Sequence, residues 1–157
     1  ALWWALNSGV IDAIASDHAP YPKEEKDKGW ENIFDAPSGG TGIQTQLPLM
    51  LDSVNKGKTT LKRLIETYSA NPARLMGLYP RKGVLIPGAD ADVIIVDPDA
   101  AFQIKGEDLY SKQKVTAFEG FKGKGMPVTT IVRGEIIMEE GTIIGKPGFG
   151  EYQRPVA

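Results

Sequence analysis

The sequence predicts an α/β plus β fold, with an α/β segment at residues 1–79 and a segment of short strands at residues 80–157. Residues 10–15 form an apolar run of strand length, and apolar side chains recur at helical spacing over residues 43–54. From residue 81 onward, β-branched runs are bounded by Gly, Pro and Asp. A buried strand followed by helices is the repeating unit of parallel α/β folds, whose functional loops lie at the carboxyl ends of the strands.

Composition excludes several classes of protein. Of the 157 residues, 41% are apolar and 24% are charged, which suits one compact domain with a hydrophobic core. The net charge of −2 lacks the basic excess that nucleic acids require, so we expect no nucleic-acid partner. No run approaches the roughly 18 to 20 apolar residues of a membrane span, and no basic leader is present. We therefore expect a soluble, cytoplasmic protein without a membrane partner.

The counts of cysteine and histidine limit the chemistry of the chain. Without cysteine there is no disulfide, no thiolate metal site and no cysteine nucleophile. His18 is the single histidine, so a zinc site built mainly from imidazoles cannot be assembled from this sequence alone. Because residue 1 is not Met, we allow that the chain is part of a longer protein.

The first segment is predicted to begin with a helix and a buried strand. Apolar residues at near-helical spacing over residues 2–6 indicate a helix that Gly9 ends. Residues 10–15 are predicted to form a strand buried on both faces, which the polar residues and proline at 16–20 halt. The polar residues 16–20 therefore lie where a parallel sheet places its functional loops.

A long loop over residues 21–42 follows, and loops of this length inside compact domains are usually functional or mobile. Its charged run, residues 23–28, is interpreted as a solvated face. Its Gly-rich segment, residues 37–42, has two interpretations. Glycine backbone can approach a ligand closely while the Ser38 hydroxyl donates a hydrogen bond; alternatively, the segment is a flexible turn before a helix.

Three helices are predicted after the loop. The first has an apolar stripe over residues 43–54, in which Pro48 is tolerable only near the first turn. Thr60 is predicted to cap the second helix. Asn71 is predicted to cap the third, with a proline at its first position, and Gly77 to end it.

The second segment is predicted to be built of short strands. Two strands are expected early in the segment, then a hairpin whose turn is Arg133-Gly134, then one more short strand. The tail, residues 145–157, is predicted to be irregular. The expected strands are residues 83–88, 91–98, 128–132, 135–139 and 142–144.

The candidate chemistry is concentrated at Asp17 and His18, where the predicted buried strand ends. A carboxylate there can bind a divalent metal through one oxygen and accept a proton from an activated water through the other. A structural interpretation competes, because Asp before a proline-containing turn often hydrogen-bonds its own backbone. Local sequence leaves both interpretations open.

Four strings in the first segment are informative when they are taken together. They are Ile14-Ala15-Ser16-Asp17-His18-Ala19-Pro20, Glu24-Glu25-Lys26, Pro37-Ser38-Gly39 and Leu47-Pro48-Leu49. In this order they resemble the last barrel strand and loop of the dihydroorotase, allantoinase and hydantoinase group of cyclic amidohydrolases. Residues 82–97 are similar to the segment that begins the small β domain of that superfamily, and residues 111–134 to the stretch that closes dihydroorotase-like chains.

This resemblance implies a C-terminal fragment of a metal-dependent hydrolase. Residues 1–79 would be the end of a (β/α)8 TIM-barrel catalytic domain, comprising the last strand and the helices after it. Residues 80–157 would be part of the companion β-sandwich domain, with a C-terminal tail. A barrel of this type needs about 250 residues and closes only as a complete ring. The remainder of the polypeptide is therefore an expected partner, and the fragment alone is expected to be inactive.

The resemblance also implies roles for individual residues. Asp17 matches the family's aspartate, which ligates a Zn²⁺ centre of one or two ions and acts as general base. Most of the other metal ligands would lie upstream of residue 1. Ser38 and Gly39 match a loop pair that contacts the substrate mainly through backbone. Tyr21 stands where dihydroorotases usually have a histidine that helps to bind the substrate carboxylate.

The function implied is zinc-dependent hydrolysis of a small cyclic amide by a homo-oligomer. The first expectation is dihydroorotase, which interconverts dihydroorotate and N-carbamoyl-aspartate in pyrimidine biosynthesis. The neutral phenol of Tyr21 adds no positive charge, and this favours the alternatives, an allantoinase or a hydantoinase acting on a five-membered cyclic ureide. A non-catalytic dihydroorotase-like assembly partner and an independent β-rich binding domain are the remaining alternatives.

Overall fold

A computed structural model of the chain describes residues 1–155, in which helices come first and one antiparallel sheet follows. The last two residues of the expected irregular tail, 156 and 157, lie outside the described residues. The helices are α1 (Leu2–Asn7), α2 (Lys23–Asp27), α3 (Ile43–Asn55), α4 (Leu61–Ile65) and α5 (Asn71–Leu75). The strands are β1 (Val93–Gln103), β2 (Lys122–Val132), β3 (Glu135–Glu139) and β4 (Thr142–Ile143).

The sheet has the strand order β1-β2-β3-β4, and every neighbouring pair is antiparallel. The expected hairpin is confirmed, because β2 and β3 are joined by Arg133 and Gly134 alone. Both turn residues have positive φ, 48° and 85°, which is the type I′ conformation that matches the twist of paired strands. Arginine takes the first position, where asparagine is usual. Glycine takes the second, where it adopts a positive φ without steric cost because it has no Cβ.

The strand expected at residues 10–15 is not formed. Its backbone is bonded to helical neighbours instead: the Ile14 N–H donates to the Thr67 carbonyl (2.9 Å) and the Ile11 N–H to the Ala5 carbonyl (3.2 Å). The Arg63 guanidinium also donates to the Ile11 carbonyl at 2.6 Å. A strand requires a neighbouring strand to pair its backbone groups, and residues 1–155 place none beside this segment.

The prediction of a strand at residues 83–88 is also wrong, because this run forms a series of turns. Gly83 has φ +80°, and the Asp90 N–H donates back across the run to the Arg81 carbonyl at 2.9 Å. A Cβ on Gly83 would lie 2.7 Å from the Ala73 Cβ, so the turn packs directly on α5. The run that follows does form β1, which starts at Val93 and continues to Gln103.

The helical predictions are confirmed except for the position of one proline and for one cap. α3 covers the predicted stripe, but Pro48 is its sixth residue and lies beyond the first turn, where it is buried. The Thr60 hydroxyl accepts from the Arg63 N–H at 3.1 Å and caps α4 as expected. Asn71 does not cap a new helix, because a π-helical turn at Glu66–Ala70 carries the backbone from α4 into α5 without a break. The Asn71 amide instead donates to the Asp12 carbonyl at 2.9 Å.

A buried carboxylate joins the helices to the sheet. α3 packs against β2, and the Oδ1 atom of Asp52 accepts from the Lys124 N–H of β2 at 3.2 Å. The Oδ2 atom lies 2.5 Å from the Lys56 ammonium, and the Asp52 side chain is only 6% exposed. Burial acts to raise the pKa of Asp52, but the hydrogen bonds from Lys56 and Lys124 outweigh it, so this pKa lies below the usual value of 3.8. Within residues 1–155, the two segments thus share contacts, and a domain boundary at residues 79 and 80 stays a prediction.

No helix within residues 1–155 combines the length and the apolarity that crossing a bilayer would demand.

We predict that Asp52→Asn lowers the free energy of unfolding by about 1 to 3 kcal/mol, because it removes a charged acceptor from a buried pair. Urea denaturation measures this change. The folded-state pKa of Asp52 lies below the unfolded value, so the carboxylate stabilises the fold above about pH 4 and the contribution is lost as pH falls further. The variant should therefore lose less stability than the wild type between about pH 4 and pH 2.

Glu107→Gln is the matched control, since the Glu107 side chain is 75% exposed and lies 3.8 Å from Lys105. Its free energy of unfolding should change by no more than about 0.5 kcal/mol. Equal effects of the two substitutions would contradict a special role for the buried carboxylate.

Candidate active site

Two loops that are distant in sequence meet at the candidate site. His18 and Gly40 form an isolated parallel bridge, in which the Ala19 N–H donates to the Gly40 carbonyl at 3.0 Å. The bridge places the Asp17 turn beside the Gly-rich segment, residues 37–42. The structure therefore brings together the two regions that the sequence singled out.

Gly39 is pressed against the Asp17 turn so closely that no side chain fits. Its φ is +128°, and a Cβ there would lie 2.4 Å from the Ala19 carbonyl oxygen and 3.2 Å from Cε2 of Tyr21. Glycine is required at this position both by backbone conformation and by space. Gly39 therefore lies directly beside the Tyr21 ring.

Asp17 has an exposed side chain and a backbone in the left-handed region, with φ +46°. Within residues 1–155, its carboxylate makes no hydrogen bond and no ion pair. The turn is capped instead by Ser16, whose hydroxyl accepts from the His18 N–H at 3.3 Å. The carboxylate of Asp17 is thus not engaged in the backbone capping that would give it a purely structural role.

His18 holds the start of α3. Its Nδ1 accepts from the Gly42 N–H at 3.0 Å and from the Ile43 N–H at 3.3 Å. These two bonds assign the ring proton to Nε2, because an atom that accepts cannot carry the proton. Sequence reasoning missed this role. The available signal was that the residue before α3 is Gly42, which has no side chain to accept from the free N–H groups of the first turn.

Lys26 makes a second contact that the sequence did not reveal, with the Gly-rich segment. The charged run was expected to be a solvated face, and Lys23 does pair with Asp27 on the surface of α2. The Lys26 ammonium instead donates to the carbonyls of Pro37 and Gly39, each at 2.6 Å. One residue of the charged run therefore holds the Gly-rich segment.

The second segment of the chain closes one side of the site. The buried Gln113 side chain accepts from the Tyr21 N–H at 2.9 Å, and the Thr41 hydroxyl donates to the Val115 carbonyl at 3.2 Å. A cavity of about 500 Å³ lies between these loops and is lined by His18, Tyr21 and residues 111–115, among others.

Residues 1–155 can supply part of a metal site but not a whole one. No cluster of three or more His, Cys, Asp or Glu side chains occurs in the described part of the chain. Asp17 has both carboxylate oxygens available, whereas His18 could ligate only through Nε2 because Nδ1 is occupied. Catalytic zinc usually takes about three protein ligands. Asp17 and His18 could therefore supply part of the ligand set of such a site but not all of it.

Comparison with known proteins gives consistent results. The profile described as the Amidohydrolase family matches residues 1–137. An L-hydantoinase of Paenarthrobacter aurescens is 41% identical over 152 residues, covering 96% of this chain and 33% of the relative. A D-hydantoinase of Rhizobium radiobacter is 34% identical over 154 residues, covering 98% of this chain and 34% of the relative.

Solved structures show the same relationship. The L-hydantoinase (dihydropyrimidinase) from Arthrobacter aurescens superimposes with a TM-score of 0.92 at 41% identity, covering 96% of this chain and 34% of that one. A D-hydantoinase structure gives a TM-score of 0.93 at 33% identity, covering 98% and 34%. The chain thus spans about a third of the length of the relatives it matches.

We predict that Gly39→Ala separates the two loops, because the new methyl group would overlap the Ala19 carbonyl and strain a positive φ. The free energy of unfolding should fall by about 1 to 3 kcal/mol. Amide hydrogen exchange at Ala19 should become faster, since that N–H is bonded to Gly40.

Gly40→Ala is the matched control, because nothing lies within 4 Å of a Cβ at Gly40. Stability should stay the same or rise by up to about 1 kcal/mol. A Gly39→Ala variant that exchanges at Ala19 like the wild type would contradict the close contact.

Proposed function

The chain belongs to the amidohydrolase family, and from that premise we propose that it forms part of a metal-dependent hydrolase that opens a small cyclic amide. The observation that carries the proposal is the contact between the Asp17 turn and the Ser38–Gly39 pair. It sets an available carboxylate beside the loop that would hold the substrate. We further propose that residues 1–79 end a (β/α)8 barrel and that residues 80–157 belong to a companion β-sandwich.

The substrate proposed is a hydantoin-type cyclic ureide, in preference to dihydroorotate. Two observations support this choice. The relatives described above are named hydantoinases. Tyr21 offers a neutral phenol at the position where dihydroorotases usually have a histidine, so it provides no charge to pair with a substrate carboxylate. The comparisons support cyclic amide hydrolysis but not pyrimidine biosynthesis or allantoin as substrate.

In the proposed reaction Asp17 moves a proton. Its carboxylate oxygen accepts a proton from the water that attacks the ring carbonyl, and then returns that proton to the nitrogen that leaves as the C–N bond breaks. Metal bound beside Asp17, which we propose to be Zn²⁺, would supply Lewis acidity and lower the pKa of the attacking water. Asp17 would contribute one ligand, and most of the other ligands would come from outside the described residues.

Ser38 and Gly39 orient the ring. Within residues 1–155, the N–H groups of Ser38 and Gly39 donate to no other residue. A cyclic ureide presents carbonyl acceptors and N–H donors along the edge of a planar ring, so backbone groups of this kind suit its recognition. Holding the ring in one orientation presents the scissile carbonyl to the water near Asp17.

Ring-opening assays on the complete enzyme that contains these residues test the proposal. A 5-substituted hydantoin, dihydroorotate and allantoin are assayed in parallel. We expect the hydantoin to give the largest kcat/KM. A larger kcat/KM for dihydroorotate would reverse the choice of substrate, and turnover of none of the three would remove the proposed function.

In that enzyme, Asp17→Asn should lower kcat by about 10² to 10⁴-fold, because the amide is nearly isosteric but cannot accept the proton. Circular dichroism should show an unchanged fold. Glu107→Gln is the control, since the Glu107 carboxylate is 75% exposed and lies outside both loops of the site, and it should leave kcat unchanged. Near-normal turnover by Asp17→Asn would remove Asp17 from the mechanism.

The isolated chain of 157 residues should bind no stoichiometric zinc and open no hydantoin ring, because its described part supplies too few ligands. Elemental analysis after gel filtration, with the ring-opening assay, measures both properties. Tightly bound zinc at one ion per chain together with turnover would contradict this expectation.

A further inference from the structure

Lys26 occupies an unusual position for a residue in a charged run. Its side chain turns inward from α2, and the ammonium donates to the Pro37 and Gly39 carbonyls at 2.6 Å each. Within residues 1–155 it pairs with no carboxylate, while its neighbour Lys23 pairs with Asp27. The positive charge of Lys26 is therefore held by backbone carbonyls.

These two carbonyls belong to the peptide groups before Ser38 and after Gly39, so Lys26 fixes the orientation of the peptide group at each end of the Ser38–Gly39 pair. A trans peptide is planar, and its N–H points opposite to its C=O. When Lys26 holds the Pro37 carbonyl, the Ser38 N–H of the same peptide group must point away from α2. The direction of this free N–H is thus set by the lysine.

The peptide groups before and after the Gly40 Cα atom are each held by one hydrogen bond. Lys26 binds the Gly39 carbonyl, and the Gly40 carbonyl accepts from the Ala19 N–H in the bridge to the His18 loop. A Cβ on Gly39 would also strike the Ala19 carbonyl, so the segment has no room to move toward that loop. Lys26 thus holds the Gly-rich segment on the side that faces α2, while the bridge to His18 holds it on the other side. The segment is clamped between these two contacts.

Lys26 also contacts the other candidate substrate residue. Its ammonium lies 5.7 Å from the ring centroid of Tyr21, within the range of a cation–π contact. The ring itself lies 3.2 Å from the position of a Cβ on Gly39. One side chain therefore touches Tyr21 and both carbonyls that surround Ser38.

We propose that Lys26 is a positioning residue for substrate binding, which presents the Ser38–Gly39 backbone and the Tyr21 ring to the cyclic amide. This inference rests on the proposed function of the same site. Lys26 acts through the backbone and does not touch the reacting atoms. Its loss should weaken ring binding more than it slows the chemical step.

The test uses Lys26→Met in the complete enzyme, assayed with a 5-substituted hydantoin. The methionine keeps a similar length but has no N–H donors. We expect KM to rise by about tenfold, as for loss of an oriented hydrogen-bonding group, with a smaller change in kcat. Lys26→Arg retains charge and donors and should recover part of the loss. Lys28→Met removes an exposed charge from the same segment and should leave KM unchanged.

Hydrogen exchange provides a readout independent of turnover. In Lys26→Met, exchange at the Ala19 and Gly42 amides should become faster, because both depend on the clamped loop. A wild-type KM in Lys26→Met overturns the proposal, even if its thermal stability falls, and so does unchanged exchange at both amides. If the wild-type enzyme opens no cyclic amide, the proposed function fails, and the exchange measurement still decides whether Lys26 holds the loop.

Discussion

The contact between Gly39 and the Ala19 carbonyl is the constraint on which the geometry of the site depends. Because a Cβ on Gly39 would lie 2.4 Å from that oxygen, the two loops can approach only where the residue is glycine. Their approach sets the bridge between His18 and Gly40. The bridge in turn brings the Gly42 N–H within 3.0 Å of the His18 ring, which fixes the start of α3.

The sheet stabilises the contact between the two loops, although no strand of the sheet carries a residue of the Asp17 turn. α3 is anchored on β2 through the buried carboxylate of Asp52. Gln113, which lies between β1 and β2 in sequence, accepts from the Tyr21 N–H and so restrains the first loop. The position of the site thus depends on contacts between the helical residues 1–79 and the strand-rich residues that follow them.

Elements governed by local chemistry could be predicted from the sequence, and elements governed by distant neighbours could not. The hairpin at Arg133-Gly134 was predictable because a two-residue turn with glycine specifies its own geometry. Residues 10–15 have the composition of a strand, but pairing depends on a neighbour that residues 1–155 do not place there. Asp17, Tyr21, Ser38 and Gly39 were selected as candidates from sequence strings, and their roles stay predictions. The contacts of His18 and Lys26 could not, because both join residues more than ten positions apart.

Some carboxylates of the described residues are paired within the fold, whereas the polar groups of the candidate site are exposed. Asp52 is bonded to Lys56 and Lys124, and Asp90 and Asp92 are both bonded to Lys82. The Asp17 carboxylate and the Ser38 and Gly39 N–H groups have no such partners, and they belong to two loops in contact. Native folds pair their polar groups or leave them to water, ligands or ions. Asp17 also has a positive φ, which costs backbone strain. Its carboxylate is not needed to cap the turn, since Ser16 performs that task, and it therefore stays accessible to a ligand or a water.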